Sequence, residues 1–74
     1  MHITVKLFAT LREGRFNEEE REYPAGADIG HIIRALGINE KEAALIFVNG
    51  RHAKTGDGLR DGDALAIFPP IGGG

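Results

Sequence analysis

Apolar and polar residues alternate along the first segment of the chain, residues 2–8. One set of alternate positions is aliphatic and comprises Ile3, Val5 and Leu7. A period of two is typical of a β-strand with one face buried in a core. Phe8 falls on the opposite, polar face. The pattern therefore predicts a strand over 2–8 that carries one aromatic ring away from the core.

A different period appears between residues 28 and 37. The apolar residues recur at spacings of three and four, at Ile29, Ile32, Ile33 and Leu36. This spacing aligns them along one side of a helix. Asp28 is suited to cap the first turn, and Gly37 is suited to the left-handed conformation that ends a helix. We therefore expect a helix of about nine residues with one buried side.

Four shorter segments complete the predicted elements. Leu45–Val48 is β-rich, and the Asn49-Gly50 pair after it favours a hairpin turn with a returning strand at 51–53. Residues 18–23 include three consecutive glutamates and are interpreted as an edge strand. The last strand, 64–68, places Leu65 and Ile67 on one face and Ala66 and Phe68 on the other, and Pro69-Pro70 ends it.

The order of these elements is strand, strand, helix, strand, short strand, strand. One helix packed on one mixed sheet of four to five strands is the economical arrangement for that order. This is the α+β β-grasp, or ubiquitin-like, plan, with a domain over 1–68 and a flexible C-terminal tail over 69–74. The first and last strands are parallel neighbours in that plan. We therefore expect Phe8 and Phe68 to form a docking patch for partners on the helix-free face, with His52 at its border.

Composition limits the chemistry that the chain can perform. The 74 residues include eleven glycines, three of them at the C-terminus, and no cysteine. Disulfides, thiolate metal sites and a cysteine nucleophile are thereby excluded. His2, His31 and His52 lack the spacing of metal ligands, so no metal site is expected. A domain of this size also leaves little room for a catalytic cleft.

Charge and hydropathy bear on partners and location. The net charge is −2 with no basic cluster, which argues against a nucleic-acid partner. The longest apolar stretch, 43–48, is far too short to span a membrane. The first residues lack the pattern of a secretory signal. We therefore expect a cytoplasmic protein with neither a nucleic-acid nor a membrane partner.

The C-terminal segment carries the most specific motif. It reads Asp61-Gly62-Asp63, an apolar strand, Phe68-Pro69-Pro70, Ile71-Gly72 and a terminal Gly73-Gly74. This segment resembles the C-terminus of the small subunit of molybdopterin synthase, in the MoaD/ThiS-like family of ubiquitin-fold sulfur carriers. The register needs no gap. Residues 7–13 also resemble the family's first strand and turn, so the resemblance covers the whole chain.

The resemblance implies that the Gly74 carboxylate is the reactive group. A partner adenylating enzyme, related to ubiquitin-activating enzymes, would use ATP to make an acyl-adenylate, and sulfur would then convert it to a thiocarboxylate. The thiocarboxylate would donate sulfur to a pterin precursor inside the large subunit of molybdopterin synthase, in a heterotetramer. The chain itself would bind no cofactor and act as a non-catalytic subunit. The reactive end would be Gly73 and Gly74, and the partner-binding residues would be Phe8, His52, Phe68, Pro69, Pro70, Ile71 and Gly72.

The physical properties of the tail agree with this interpretation. Glycine has no Cβ to obstruct approach to a terminal carboxylate. The six residues after Phe68 can reach roughly 20 Å when extended, enough to enter a partner's active site. Pro69-Pro70 stiffens the point where the tail leaves the domain.

Three alternatives stay open. The first is a sulfur carrier for thiamine or an amino acid, which the short stretch between Gly37 and Leu45 favours, whereas Phe68-Pro69-Pro70 favours the pterin pathway. The second is a ubiquitin-like modifier whose Gly74 becomes linked to lysines of target proteins. The third is a plain β-grasp interaction module with an idle tail, for which deletion of Gly74 would cause no loss of function.

Overall fold

A computed structural model describes residues 1–70 of the chain, and these contain five strands and one α-helix. The strands are β1 His2–Leu7, β2 Glu18–Glu22, β3 Leu45–Val48, β4 Arg51–His52 and β5 Ala64–Phe68. The helix α1, Ile29–Ala35, connects β2 to β3, and short 3-10 helices occupy Ala9–Arg12 and Glu40–Glu42. The strands form one sheet in the order β2-β1-β5-β3-β4.

The sheet is mixed, with its parallel pair at the centre. β1 pairs with β5 in parallel, whereas β1–β2, β3–β5 and β3–β4 are antiparallel. β2 is an edge strand whose five residues are all exposed. The predicted α+β β-grasp fold is confirmed, with five strands and one helix. The tail residues Ile71 to Gly74 lie outside the described residues.

One face of the sheet and one side of α1 share a core. The alternate strand positions that have no exposed surface are Ile3, Val5, Leu7, Leu65 and Ile67. The helix contributes three more fully buried side chains, those of Ile29, Ile32 and Ile33. The buried residues of the strands and of α1, which follow the two predicted periods, thus form a single hydrophobic cluster.

The helix is seven residues long rather than about nine because its C-terminus closes early. Gly37 has φ +74°, its N–H donates to Arg34 O (3.0 Å), and the next residue's N–H, that of Ile38, donates to Ile33 O (3.1 Å). These two bonds form a Schellman motif, which takes Leu36 out of the helix as its cap. At the other end, Asp28 Oδ1 accepts from His31 N as predicted (2.8 Å).

Three strands are one residue shorter than predicted. β1 ends at Leu7 because Ala9 has a left-handed φ of +52° and begins a 3-10 helix. β2 ends at Glu22, and β4 at His52. The Asn49-Gly50 turn has both residues at positive φ (52° and 82°), the geometry of the predicted tight hairpin.

Gly30 lies inside α1, where the sequence gives no reason for a glycine. Its N–H donates to Thr55 O at 2.8 Å, and a Cβ there would lie 3.3 Å from that same oxygen. The close approach of this backbone to the helix therefore favours glycine, since a side chain would force Thr55 and the end of the Arg34 side chain to shift.

Candidate docking surface and tail root

Phe8 and Phe68 stack on the face of the sheet opposite α1. Their ring centroids lie 4.1 Å apart with an interplanar angle of 6°. Phe8 N donates to Ile67 O (3.3 Å), which holds the residue after β1 beside the end of β5. Both side chains keep part of their surface exposed. The predicted proximity of the two rings is confirmed, and their role in docking stays a prediction.

Two further rings extend this pair across the sheet. Phe47 meets Phe68 edge to face with centroids 5.8 Å apart, and His52 meets Phe47 in the same way at 5.7 Å. Register explains the contacts, because Phe47 on β3 pairs with Ala66 on one side and with His52 on the other. We call Phe8, Phe68, Phe47 and His52 the aromatic row.

Phe47 is the member of the row that sequence reasoning missed. Leu45–Val48 looks like a continuous apolar run, which gives no indication of which face each residue occupies. The signal that could have found it is parity. Ile46 is buried in the core, so its neighbour Phe47 must face the other way. The predicted border residue His52 reaches Phe68 only through this ring.

The aromatic row lies at the root of the tail. β5 ends at Phe68, whose carbonyl oxygen still accepts from Ala44 N (3.0 Å), and the chain then leaves through Pro69 and Pro70. Pro69 is partly buried and Pro70 is exposed. The predictions for Ile71, Gly72, Gly73 and Gly74 concern residues beyond those that the structure describes.

Arg12 belongs to the same surface. Its guanidinium carbon lies 5.5 Å from the centroid of the Phe8 ring, and its Nε donates to Leu7 O at 2.8 Å. From sequence, a surface salt bridge explains Arg12 and Glu13 as well as their match to the turn of the resembled family does, but neither residue forms an ion pair within residues 1–70. Arg12 instead packs on the row.

The β2 edge gives the same face an acidic margin. Glu18, Glu20 and Glu22 pair with Lys6, Thr4 and His2 across β1. The ion pairs along it are long and exposed: Lys6 lies 4.0 Å from Glu18, and His2 lies 3.9 Å from Glu22. Such pairs contribute little stability. The margin is therefore best described as solvated charge that discourages edge-to-edge pairing.

An open depression of about 600 Å³ adjoins the row at His52. Its lining includes Asp57 and Asp63, but both carboxylates cap turns, accepting from the backbone N–H groups of Lys54 (2.9 Å) and Arg60 (2.8 Å). Within residues 1–70, no group of three acidic or histidine side chains is placed to hold a metal ion. No helix among the same residues has the length and hydrophobicity needed to cross a bilayer.

A ubiquitin-like fold whose last strand leads into a glycine-ended tail defines a class of small carriers and protein modifiers. Within that class, the chain belongs to the ThiS family, which it matches over residues 5–74.

Solved structures place it among both kinds of protein. It is 32% identical to the putative molybdopterin converting factor subunit 1 of Pyrococcus furiosus, covering 96% of this chain and 99% of that one with a TM-score of 0.74. It is 28% identical to SAMP1 of Haloferax volcanii, covering 100% of both chains with a TM-score of 0.75. A structure of subunits 1 and 2 of the molybdopterin-converting factor of Helicobacter pylori, at 24% identity and a TM-score of 0.65, supports the fold alone.

Proposed function

We propose that this chain is a sulfur carrier that acts as the small subunit of molybdopterin synthase, in the assembly of a molybdenum or tungsten cofactor. The observation that carries the proposal is the aromatic row at the root of the Phe68-Pro69-Pro70 motif, which continues without a gap to Gly73-Gly74. The 32% identity to a molybdopterin converting factor subunit 1 over nearly the whole of both chains supports the same pathway.

The chemistry takes place at the Gly74 carboxylate and on partner proteins. An adenylating enzyme brings a carboxylate oxygen to the α-phosphorus of ATP, pyrophosphate leaves, and an acyl-adenylate results. Hydrosulfide, or a donor equivalent to it, then attacks the acyl carbon. AMP departs with the C–O bonding electrons, a proton goes to solvent, and a thiocarboxylate remains on Gly74.

The aromatic row supplies the docking surface for those partners. Exposed aromatic rings that cluster in one place are typical of protein interfaces, and each partner must hold the domain while the tail reaches its active site. Phe8, Phe68 and His52 would make the contacts on the sheet, and Pro69 and Pro70 would direct Ile71 and Gly72 into the partner. The large synthase subunit would occupy this surface in a heterotetramer.

The tail chemistry is tested by intact mass. The full chain is incubated with the activating enzyme of the same organism, ATP and sulfide. We expect a mass change of one oxygen replaced by one sulfur, located on Gly74. A chain lacking Gly72, Gly73 and Gly74 is the matched control and should stay unmodified, since deletion of Gly74 alone would leave another terminal pair of glycines. Wild-type protein that forms neither adenylate nor thiocarboxylate would refute the carrier function.

The pathway is tested by assembly. Co-expression with the large synthase subunit should yield a stable complex, and Phe68→Ala should disrupt it. Lys41→Ala, in the exposed 3-10 helix Glu40–Glu42, is the control and should leave assembly intact. If the thiocarboxylate forms but the large subunit does not bind, the chain serves another acceptor, such as a thiamine precursor or an amino acid.

A ubiquitin-like modifier is the second candidate. The similarity to SAMP1, described as a small archaeal modifier protein, covers the whole of both chains and favours it. Such a modifier would form an amide bond between Gly74 and a lysine of a target protein. The last tryptic site of the chain is Arg60, so tryptic peptides that carry residues 61–74 on a lysine would identify it, and their loss on deletion of residues 72–74 would support the linkage.

A further inference from the structure

Arg12 and Arg15 lie three residues apart, yet the structure uses their guanidinium groups differently. Arg15 donates from all three of its side-chain nitrogens to backbone carbonyls. Nε reaches Leu36 O (3.2 Å), Nη1 reaches Leu11 O (3.2 Å) and Nη2 reaches Gly37 O (3.0 Å). These three bonds connect the C-terminal end of α1 to the 3-10 helix Ala9–Arg12.

Arg12 is held in place but keeps most of its donors. Its Nε–H goes to Leu7 O (2.8 Å), and the guanidinium lies over the Phe8 ring. A guanidinium has five N–H donors, so the four N–H donors of Nη1 and Nη2 remain for other acceptors. Among residues 1–70 they have no acceptor within hydrogen-bonding distance.

Arg12 differs from Arg21 and Arg34 in having no acidic partner among residues 1–70, although Arg21 also lies over an aromatic ring, that of Phe16. Arg21 donates to Glu19 (2.9 Å), and Arg34 donates to Glu40 (2.9 Å). Arg12 instead lies at the end of the aromatic row, next to the ring that stacks on Phe68. Arginine is enriched among the residues that dominate binding energy at interfaces, and phenylalanine is among the residue types enriched at interfaces in general.

We infer that Arg12 binds a carboxylate on the protein that docks over the aromatic row. This inference rests on the proposed function only in that the docking protein is a partner of the carrier. The outward Nη1 and Nη2 groups match the two oxygens of one carboxylate in a planar, bidentate geometry. Because the bond to Leu7 and the contact with Phe8 already restrict the side chain, little rotamer entropy is lost on binding.

The expected ligand of Arg12 is a carboxylate of a protein side chain and not the phosphate of a nucleotide. The surface around Arg12 is the aromatic row, which suits the apolar part of a protein interface. Phosphate sites usually gather several donors, from backbone N–H groups or further cations. The nearest cation on β1, Lys6, is directed to Glu18.

The test measures affinity for the large synthase subunit and for the activating enzyme with Arg12→Gln and Arg12→Lys in the full chain. We expect Arg12→Gln to weaken binding about tenfold or more, mainly through faster dissociation. Arg12→Lys should recover only part of the affinity, since it keeps the charge but loses the fork and the bond to Leu7. Lys41→Gln removes a cation from the exposed 3-10 helix Glu40–Glu42 and should bind like the wild type.

A second measurement separates recognition from support of Phe8. Nuclear Overhauser contacts between the Phe8 and Phe68 rings are recorded in the free variants. Weaker binding with the stack intact supports the inference, as does a double-mutant cycle in which one partner carboxylate changed to its amide couples to Arg12→Gln. If affinity falls only where the stack is lost, Arg12 merely positions Phe8 and the inference is overturned.

Three other outcomes would overturn the inference. Arg12→Gln that binds both partners like the wild type overturns it alone. Inorganic phosphate that shifts the Arg12 Nη resonances and competes with partner binding assigns the site to phosphate and overturns it too. Wild-type protein that binds neither partner overturns it together with the proposed docking surface, while the mass measurement on Gly74 tests the carrier chemistry separately.

Discussion

The two faces of the sheet are built from alternate residues of the same strands, and they differ in what their apolar groups contact. Leu7 and Ile67 on the helix side have no exposed surface, whereas their chain neighbours Phe8 and Phe68 remain partly exposed. A small domain has little apolar area to bury, so each ring that stays in contact with water contributes less to the free energy of unfolding than a buried ring would. The difference shows that the helix side carries the core of the fold, and it agrees with the proposed role of the aromatic row in docking.

The rings of the row still contact each other. The parallel stack of Phe8 on Phe68 and the two edge-to-face contacts of Phe47 recover part of what exposure costs, at about 0.5–1.5 kcal/mol for each aromatic pair. The contacts also restrict the position of each ring. A preformed surface of this kind binds with less loss of side-chain entropy.

Adjacent residues of β5 give the largest expected contrast. Ile67→Ala removes a fully buried side chain and should lower the free energy of unfolding by about 2–5 kcal/mol. Phe68→Ala removes ring contacts on the open face and should lower it by about 1–2 kcal/mol. Urea denaturation measures both. Equal losses in the free energy of unfolding would mean that the open face stabilises the fold as much as the helix side does, and the proposed difference between the two faces would be wrong.

The two neighbouring arginines sharpen the contrast at a smaller scale. Arg15→Gln removes donors to three carbonyls around the end of α1 and should lower the free energy of unfolding by about 1–2 kcal/mol, while leaving partner affinity unchanged. Arg12→Gln should cost less stability and more affinity. Urea denaturation and partner titration of both variants test the exchange. A reversed order would show that Arg12 is the structural residue.

The fold could be predicted from the sequence because the buried residues recur at the regular spacings of strands and of a helix. The alternation of Ile3, Val5 and Leu7 and the helical spacing behind Asp28 each depend on neighbours in the chain. The prediction that Phe8 and Phe68 would meet needed only parity and the parallel pairing of the first and last strands. Those features are local or follow from topology.

What the sequence could not show depends on contacts between distant segments. The reason for Gly30 is an oxygen of Thr55, and the role of Arg15 is set by carbonyls about twenty residues away. Arg12 looks like any charged surface residue until Phe8 is placed beneath it. Side-chain commitments of this kind have no period along the chain, so pattern analysis does not reach them.

Tyr23 places a polar group, its hydroxyl, in the otherwise apolar core on the helix side of the sheet. Its hydroxyl is buried and forms no hydrogen bond of good geometry within the described part of the chain, although the Arg21 guanidinium lies close to it. Because an unsatisfied buried hydroxyl costs free energy, Tyr23→Phe should raise the free energy of unfolding by about 1 kcal/mol. Urea denaturation at neutral pH measures the gain. A loss of stability would reveal a partner for the hydroxyl.

The same hydroxyl predicts an alkaline effect. Burial, partly opposed by the nearby Arg21 charge, raises the pKa of Tyr23 above its ordinary value of about 10. An unfolded chain releases this proton first, so the stability contributed is complete below pH 10 and is lost as pH rises toward the folded pKa. Tyr23→Phe should flatten this alkaline decline. An unchanged decline would assign it to other groups.

The smallest effect is expected on the exposed side of the sheet, at Asp61. Its Oδ1 accepts from His2 N at 2.6 Å, and this bond, with the His2 ring 3.3 Å away, holds the pKa of Asp61 below its ordinary value. A lowered folded pKa means that the contribution is present above the unfolded value of about 3.9 and is lost as pH falls through the folded pKa. Asp61→Asn should therefore reduce the decrease in the free energy of unfolding that is measured when the pH is lowered from about 5 to about 2.5.

The matched control for this acid effect is Glu20→Gln, because Glu20 lies on the same face and its carboxylate forms no hydrogen bond or ion pair among residues 1–70. It should leave the acid dependence as in the wild type. If both variants change it equally, the acid effect reflects the net charge of the β2 margin rather than the bond between His2 and Asp61. The open face would then act on stability through its overall field, and the contrast between a structural side and a binding side would apply to its aromatic row alone.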